Sequence, residues 1–421
     1  MLWWLSHELN RRVAAAAVGA VALVVSAAPV SGQTQPNERF ADPRYDFSRL
    51  DAALARGIDD NVVPGVSLVL LHRGRPVYAS AWGQRDLVRR EDFTLDTVAR
   101  IYSSTKWLSG ATVMRAVDEG LLSLDDEAGD WLPDYAELGI RGSSQTDSPT
   151  VREMFSHSSG MEPDSPPVYD TSITMAECAD QLLPYVDPLL AAPGAQVYYG
   201  SNSMQISGRA VEVASGEAWQ DFQFSRLLDP LEMDDTSFSP DADEVSRMGP
   251  VYIKFFGSWI PIISAPGANE FTENPGLAYG MFSTLDDYAR FLLMFRNGGV
   301  YNGRRILSTN SVREIASNQV GDAPFVGLTQ PPPFTAYGIG CWTSLMDANE
   351  VARFVSSAGF AGTFPWYDRQ NDLAGVFFIQ VILSEGTDVF TYEVVSEATR
   401  AVAGQFATIP ELPLERTPPG G

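Results

Sequence analysis

Within Ile101-Tyr-Ser-Ser-Thr-Lys-Trp107, Ser103 stands three residues before Lys106. Only two lysines occur in the 421 residues, Lys106 and Lys254, and every other basic side chain apart from histidine is arginine. Either type can carry a surface charge, but an amine that must give up a proton cannot be a guanidinium. Downstream, Trp107, Leu108, Ala111, Met114 and Val117 recur at helical spacing, and Gly120 supplies a stop. Ser103 is therefore expected at the start of a helix, with Lys106 one turn on and on the same face. The positive end of the helix dipole and burial both disfavour an ammonium there, so a lowered lysine pKa is expected. A neutral amine within reach of Ser103 Oγ can take its proton. The competing reading is a coding preference for arginine plus a coincidental short match, and only the surrounding chain separates the two.

The length suits two domains or one large unit with an insertion. Apolar residues make up 45%, an ordinary share for a packed core. The net charge of −24 argues against nucleic acid and anionic membrane surfaces as partners. Arg11-Arg12 precede an apolar run from Val13 to Val30, and Val30-Ser31-Gly32 offers small residues before Gln33. Residues 1–32 read as a signal peptide for export to the periplasm or the exterior, with Asn10-Arg-Arg-Val-Ala a poor twin-arginine signal. The alternative is an uncleaved anchor, since the run is near the lower length limit for a span. Cys178 and Cys341 could pair in an exported protein, but sequence does not show how closely they approach. No Cys/His spacing resembles a zinc site.

Residues 33–45 are polar and read as a flexible lead-in. Phe47, Leu50, Ala53, Leu54 and Ile58 fall on one helical face. Strands at 66–71 and 77–82 flank His72-Arg-Gly-Arg-Pro76, a hairpin signature with Gly74 in the turn. Residues 150–300 read as mostly helical, most clearly at 201–214 and 283–297. Between those two, 251–263 is apolar and interrupted by Gly and Pro; a buried hairpin is expected, and a lid or pocket wall is the alternative. Gln330-Pro-Pro-Pro333 marks a loop. Strands are expected at 337–343, 354–357, 364–367 and 373–379, then a helix over about 388–406 and a disordered Pro/Gly tail at 409–421. The order implies an α/β fold of α+β type: one antiparallel sheet from both chain ends, flanked by helices, with a mostly helical insertion over about 105–300. The domain is expected over 46–408.

A Ser-His-Asp hydrolase needs a placed histidine. Past residue 32 there are His72, in the predicted hairpin turn, and His157, and there is no Gly-x-Ser-x-Gly elbow. Other segments fit a different pattern. Behind Ser103 and Lys106 comes Asp118-Glu-Gly-Leu-Leu-Ser-Leu-Asp-Asp126, then Thr150-Val-Arg-Glu-Met-Phe-Ser-His-Ser-Ser-Gly160. Pro193-Gly194 leads into Tyr199, followed by Gly280-Met-Phe-Ser-Thr284 and Ser357-Ala-Gly-Phe-Ala-Gly-Thr363. In this order they resemble the serine β-lactamase and penicillin-binding-protein superfamily over roughly 47–406. More narrowly, they resemble class C β-lactamases and their esterase relatives, the family VIII esterase-like group.

The resemblance implies a β-lactamase/transpeptidase-like fold and a serine hydrolase. Ser103 would form the acyl-enzyme, and Lys106 would activate it or shuttle its proton. The family's Tyr-x-Asn motif aligns with Tyr199-Gly-Ser201, making Tyr199 the second general base, with Tyr198 as the alternative. Ser201 replaces the Asn and Asn202 stands one residue late, so either could fill that role. The Lys-Thr-Gly motif falls at Ser357-Ala-Gly359, where Gly359 would let the strand edge approach substrate. The N–H groups of Ser103 and Phe360 would form the oxyanion hole. Ser357 lacks the cation that pairs with a β-lactam or peptide carboxylate, though an Arg could substitute from elsewhere. Small uncharged esters or amides are the implied substrates. No metal or organic cofactor is needed, and no stable partner is implied. β-Lactamase and D-Ala-D-Ala carboxypeptidase remain alternatives, as does a catalytically silent cell-envelope binding protein. His157 is expected as a hydrogen-bonded structural residue near the site. Asp125 and Asp126 are expected as loop or helix-start devices.

Overall fold

Alternating apolar residues from the two ends of the chain meet in one sheet. In the computed structural model, which describes residues 34–327, 336–382 and 386–403, the N-terminal strands are Glu38–Ala41 (β1), Gly65–His72 (β2) and Arg75–Asp86 (β3). The C-terminal strands are Ala336–Tyr337 (β4), Trp342–Met346 (β5), Ala352–Ser356 (β6), Phe364–Asp368 (β7) and Leu373–Phe378 (β8). Their spatial order is β1-β3-β2-β8-β7-β6-β5-β4, antiparallel throughout, with Glu91–Asp92 added to β3. The two ends join where β2 pairs with β8, Val69 opposite Val376. The β2–β3 turn has φ +53° at Arg73 and +72° at Gly74, the double positive φ of a tight hairpin turn.

Strand period two sorts these residues to opposite faces. Leu68, Leu70, Leu373 and Phe377 pack with Leu50 and Leu54 of helix Ser48–Asp59 (α1) and with Phe390 and Val394 of the C-terminal helix Thr387–Ala403. Leu71, Ala374, Val376 and Phe378 face the helical middle of the chain. That middle includes Thr105–Asp118 (α2), Asn202–Ser215 (α3) and Leu285–Arg296 (α4). Each large apolar side chain so buried contributes about 1.5–3 kcal/mol.

Helix α2 is buried nearly all round rather than along one stripe, as a helix at the centre of a domain must be. It ends as its sequence suggests. Gly120 has φ +70°, its N–H reaches Val117 O, and Leu121 N–H reaches Ala116 O.

Several expectations need correction. The lead-in is not wholly flexible: Glu38–Ala41 pairs as an edge strand, and Arg39 bonds Asp51 across to α1. The strand expected over 337–343 is broken, because Gly338 to Cys341 leave the sheet to press on α2. A Cβ at Gly110 would meet Ile339 O at 2.2 Å, and one at Gly340 (φ +77°) would meet Lys106 O at 2.1 Å. Residues 251–263 do form a hairpin, Val251–Phe255 with Ser258–Ile263, but only its base is buried. Phe255 and Phe256 at its tip are exposed, since no layer covers them. Cys178 and Cys341 are both buried free thiols. The signal or anchor at 1–32, the loop at 330–333 and the tail at 409–421 fall outside the described residues.

Candidate active site

Ala99–Arg100 pairs with Phe282–Ser283, and the chain then turns sharply. Tyr102–Ser104 forms one 3-10 turn before α2 begins at Thr105, so Ser103 sits at the helix start as expected. Tyr102 has φ +45°, a left-handed conformation that costs a bulky residue about 1–2 kcal/mol. Hydrogen bonds hold the turn in place. Ser104 Oγ donates to Ser357 O at 2.5 Å, and Ser357 Oγ donates to Ser103 O at 2.8 Å. The Tyr288 hydroxyl of α4 donates to Ser104 O at 2.9 Å. The hydroxyl of Ser357 is thus turned onto the carbonyl of Ser103. Gly359 also serves this turn: a Cβ there would lie 2.4 Å from Ile101 O, so the close approach is to the chain leading into Ser103.

Lys106 is buried, with Nζ 3.2 Å from Ser103 Oγ and 2.9 Å from Ala278 O. The segment carrying Ala278 is itself fixed to α2, since Ser109 Oγ donates to Leu277 O and Met281 N–H donates to Thr105 Oγ1. Sequence reading missed Ala278, because any residue type can present a carbonyl. It also missed Tyr288, whose partner is backbone. The N–H groups of Ser103 and Phe360 have no acceptor among the described residues, and the rings of Tyr102 and Phe360 meet edge-on at 5.9 Å.

Tyr199 closes the other side. Lys106 Nζ lies 4.5 Å from its ring centroid. The ring stacks on Trp342 at 5.2 Å and meets His157 at 4.6 Å. Tyr198 instead turns its hydroxyl to Gln196 Oε1, so Tyr199 is the tyrosine beside Lys106. Asn202 does not reach Lys106. Its amide donates to Glu162 O and Ser165 Oγ and accepts from Ser165 N–H, which staples the 162–165 loop. Ser201 starts α3 with its N–H on Pro163 O, and it too makes no hydrogen bond to Lys106. At Lys106, the carbonyl of Ala278 makes the contact that either could have made.

His157 stands next to the site, but it is not hydrogen-bonded through its side chain as expected. It is buried at φ +64° between the rings of Tyr199 and Tyr337, and among the described residues neither ring nitrogen has a partner. Burial, and then the nearby Lys106, push its pKa well below the usual histidine value, so the ring is neutral. Its carbonyl accepts from Tyr198 N–H at 2.8 Å and so holds the Tyr199 segment. Asp125 pairs with Arg152, and Asp126 accepts from Ser123 N–H and the Trp131 indole, so both serve local structure.

The sequence model of the β-lactamase family matches residues 50–395. The chain belongs to the β-lactamase family. Like other members of this family it is a serine hydrolase. It is similar to Protein Rv1367c of Mycobacterium tuberculosis, 26% identical over 348 residues that cover 75% of this chain and 83% of that one. It is 25% identical over 385 residues to the lovastatin esterase of Penicillium rubens, covering 81% and 94% of the two chains. Among solved structures, EstCE1, a hydrolase with promiscuous acyltransferase activity, superposes with a TM-score of 0.70 at 20% identity, over 84% of this chain and 98% of that one. At that identity the likeness is one of fold. In this β-lactamase-family chain, the site lies where α2, the Tyr199 segment and the chain after β6 converge.

Proposed function

We propose that this protein is an exported hydrolase of carboxylic esters, or amides, working through a Ser103 acyl-enzyme. The observation that carries the proposal is the 3.2 Å contact of Lys106 Nζ with Ser103 Oγ, made beneath the Tyr199 ring. Ser103 Oγ attacks the substrate carbonyl while its proton passes to Lys106. The carbonyl oxygen takes up negative charge facing the free N–H groups of Ser103 and Phe360, each such donor contributing about 3–4 kcal/mol to the transition state. Tyr199 relays the proton to the departing alcohol or amine. Water then attacks the acyl-enzyme by the reverse proton route, releasing the acid and restoring Ser103.

Two points favour esters over β-lactams. Ser357 holds no cation, and its hydroxyl is committed to Ser103 O. The lovastatin esterase likeness runs along most of both chains. Export rests on Arg11-Arg12 and the apolar run behind them, and N-terminal sequencing of the protein from its native host tests it. The substrate reading is tested by paired assays of 4-nitrophenyl butyrate and a chromogenic cephalosporin. We expect the ester to be turned over at least about a hundredfold more efficiently. A cephalosporin rate equal to or above the ester rate would overturn the ester reading in favour of a β-lactamase.

A further inference from the structure

Helix α4 lies on strands β7 and β8, and the helix Thr309–Ala316 (α5) lies on α2. Between the two helices the sheet is left uncovered, over a groove of about 370 Å³. That volume falls in the range of small-molecule sites, about 300–1,000 Å³. Small residues make the room. Gly298, Ala316 and Ala352 all line the groove, and a Cβ at Gly298 would meet nothing nearer than Thr309 at 3.8 Å. None of the groups placed around Ser103 lines it, so it is a separate place in the fold.

Helix α5 divides its side chains between two faces. Ser311 and Ile315 are buried, with Ser311 Oγ donating to Asp118 of α2. Thr309, Val312, Arg313 and Ala316, at i, i+3, i+4 and i+7, form one stripe along the groove, about 10 Å long. The cross-strand pair Val355 and Tyr367 forms the floor, and Phe295 of α4 lines the opposite wall.

Three arginines but only one carboxylate line the groove, in a chain of net charge −24. Two of the arginines are committed, Arg296 to Asp372 and Asn297, and Arg369 to that one carboxylate, Asp347. Arg313 is exposed and makes no ion pair or side-chain hydrogen bond among the described residues. The Tyr367 hydroxyl has no partner among them either. Burial, and then Asp372, push its pKa up to about 12, so it stays a neutral donor. A carboxylate matches the paired N–H donors of the free guanidinium, and an aliphatic chain would cover Val312, Val355 and Phe295.

We propose that this groove is a second binding site, for a free aliphatic carboxylate whose head group meets Arg313 and whose chain lies along α5. It stands on the geometry of the groove alone and does not depend on the chemistry proposed for Ser103.

Calorimetric titration of octanoate and octanamide into the full-length protein tests it. Wild type should bind one equivalent of octanoate, at least about tenfold more tightly than octanamide. Arg313→Gln should abolish that preference, and Arg313→Lys should keep part of it. Because Arg313 is exposed and supports nothing else, these variants change the charge and leave the fold standing. Val312→Trp, which fills the groove from α5, should weaken both ligands at least about tenfold. Equal binding of the two ligands to wild type would overturn the proposal. So would an octanoate preference that survives Arg313→Gln, since the ligand would then be bound elsewhere, in the catalytic cleft included.

Discussion

Ser103 and Tyr199 face each other across Lys106, yet they are held by different physics. On the Ser103 side, nearly every constraint is a hydrogen bond to backbone. Ser357 bonds Ser103 O, Ser104 bonds Ser357 O, Tyr288 bonds Ser104 O and Lys106 bonds Ala278 O. On the Tyr199 side the constraints are rings, with Trp342 stacked, His157 and Tyr337 edge-on or tilted, and the polar atoms of His157 unspent. Hydrogen bonds fix a position to a few tenths of an ångström, as a nucleophile and its oxyanion donors require. Ring packing fixes a plane but leaves the hydroxyl uncommitted, which suits a group that must take and return a proton. In the proposed mechanism the braced side places the substrate carbonyl and the stacked side moves protons.

The sharpest way to break this division is at Lys106, which touches both sides. Lys106→Ala should lose about 10,000-fold in kcat/KM on 4-nitrophenyl butyrate, and Lys106→Arg should lose as much, since guanidinium does not deprotonate. Appreciable activity in the arginine variant would remove proton transfer from Lys106. On the stacked side, Tyr199→Phe should lose about a thousandfold. Its melting temperature should hold, because the ring on Trp342 is kept. Tyr198→Phe should stay within about threefold of wild type, and the opposite ranking would reassign the base.

The braced side has a pH-sensitive support. Asp287, in the first turn of α4 beside Tyr288, accepts from Asp235 N–H and the Thr236 hydroxyl. Burial raises its carboxyl from 3.8 to about 6 despite those bonds. The folded state therefore holds this proton more tightly than the unfolded chain does. The resulting stability is fully present below pH 3.8 and lost as pH rises through 6, by about 3 kcal/mol. Denaturant unfolding from pH 4 to 7 should show this fall in wild type and a fall smaller by that amount in Asp287→Asn. Identical slopes would mean that Asp287 is an ordinary carboxylate. A smaller effect is expected at Ser357→Ala, which removes one donor from Ser103 O. It should cost about 1 kcal/mol of stability and several-fold in kcat, with KM little changed. An unchanged kcat would show that the turn needs no brace from β6.

The sequence told more about one side than about the other. Ser103, Lys106 and the stop at Gly120 were legible because helix spacing and residue chemistry speak locally, and the alternating runs at 66–71 and 373–379 located the sheet. The bracing bonds were not legible, because Ala278 O, Ser103 O and Ile101 O are backbone atoms that carry no signature of residue type. The uncapped hairpin tip at Phe255 and Phe256 was misjudged for a related reason: an apolar run reports what can be buried, not whether a layer exists to bury it. The family resemblance places His157 near the site, but which rings would pack on it depends on Tyr337, some 180 residues further on.

Covalent labelling of Ser103 tests the central claim most directly. A fluorophosphonate should add one equivalent to the folded wild-type protein, with the adduct mapped by mass spectrometry to the peptide containing Ser103, and none to folded Ser103→Ala. A folded wild-type protein that takes no label, or a label that persists in Ser103→Ala, would contradict the assignment of Ser103 as the nucleophile and leave a β-lactamase fold without the chemistry proposed for it.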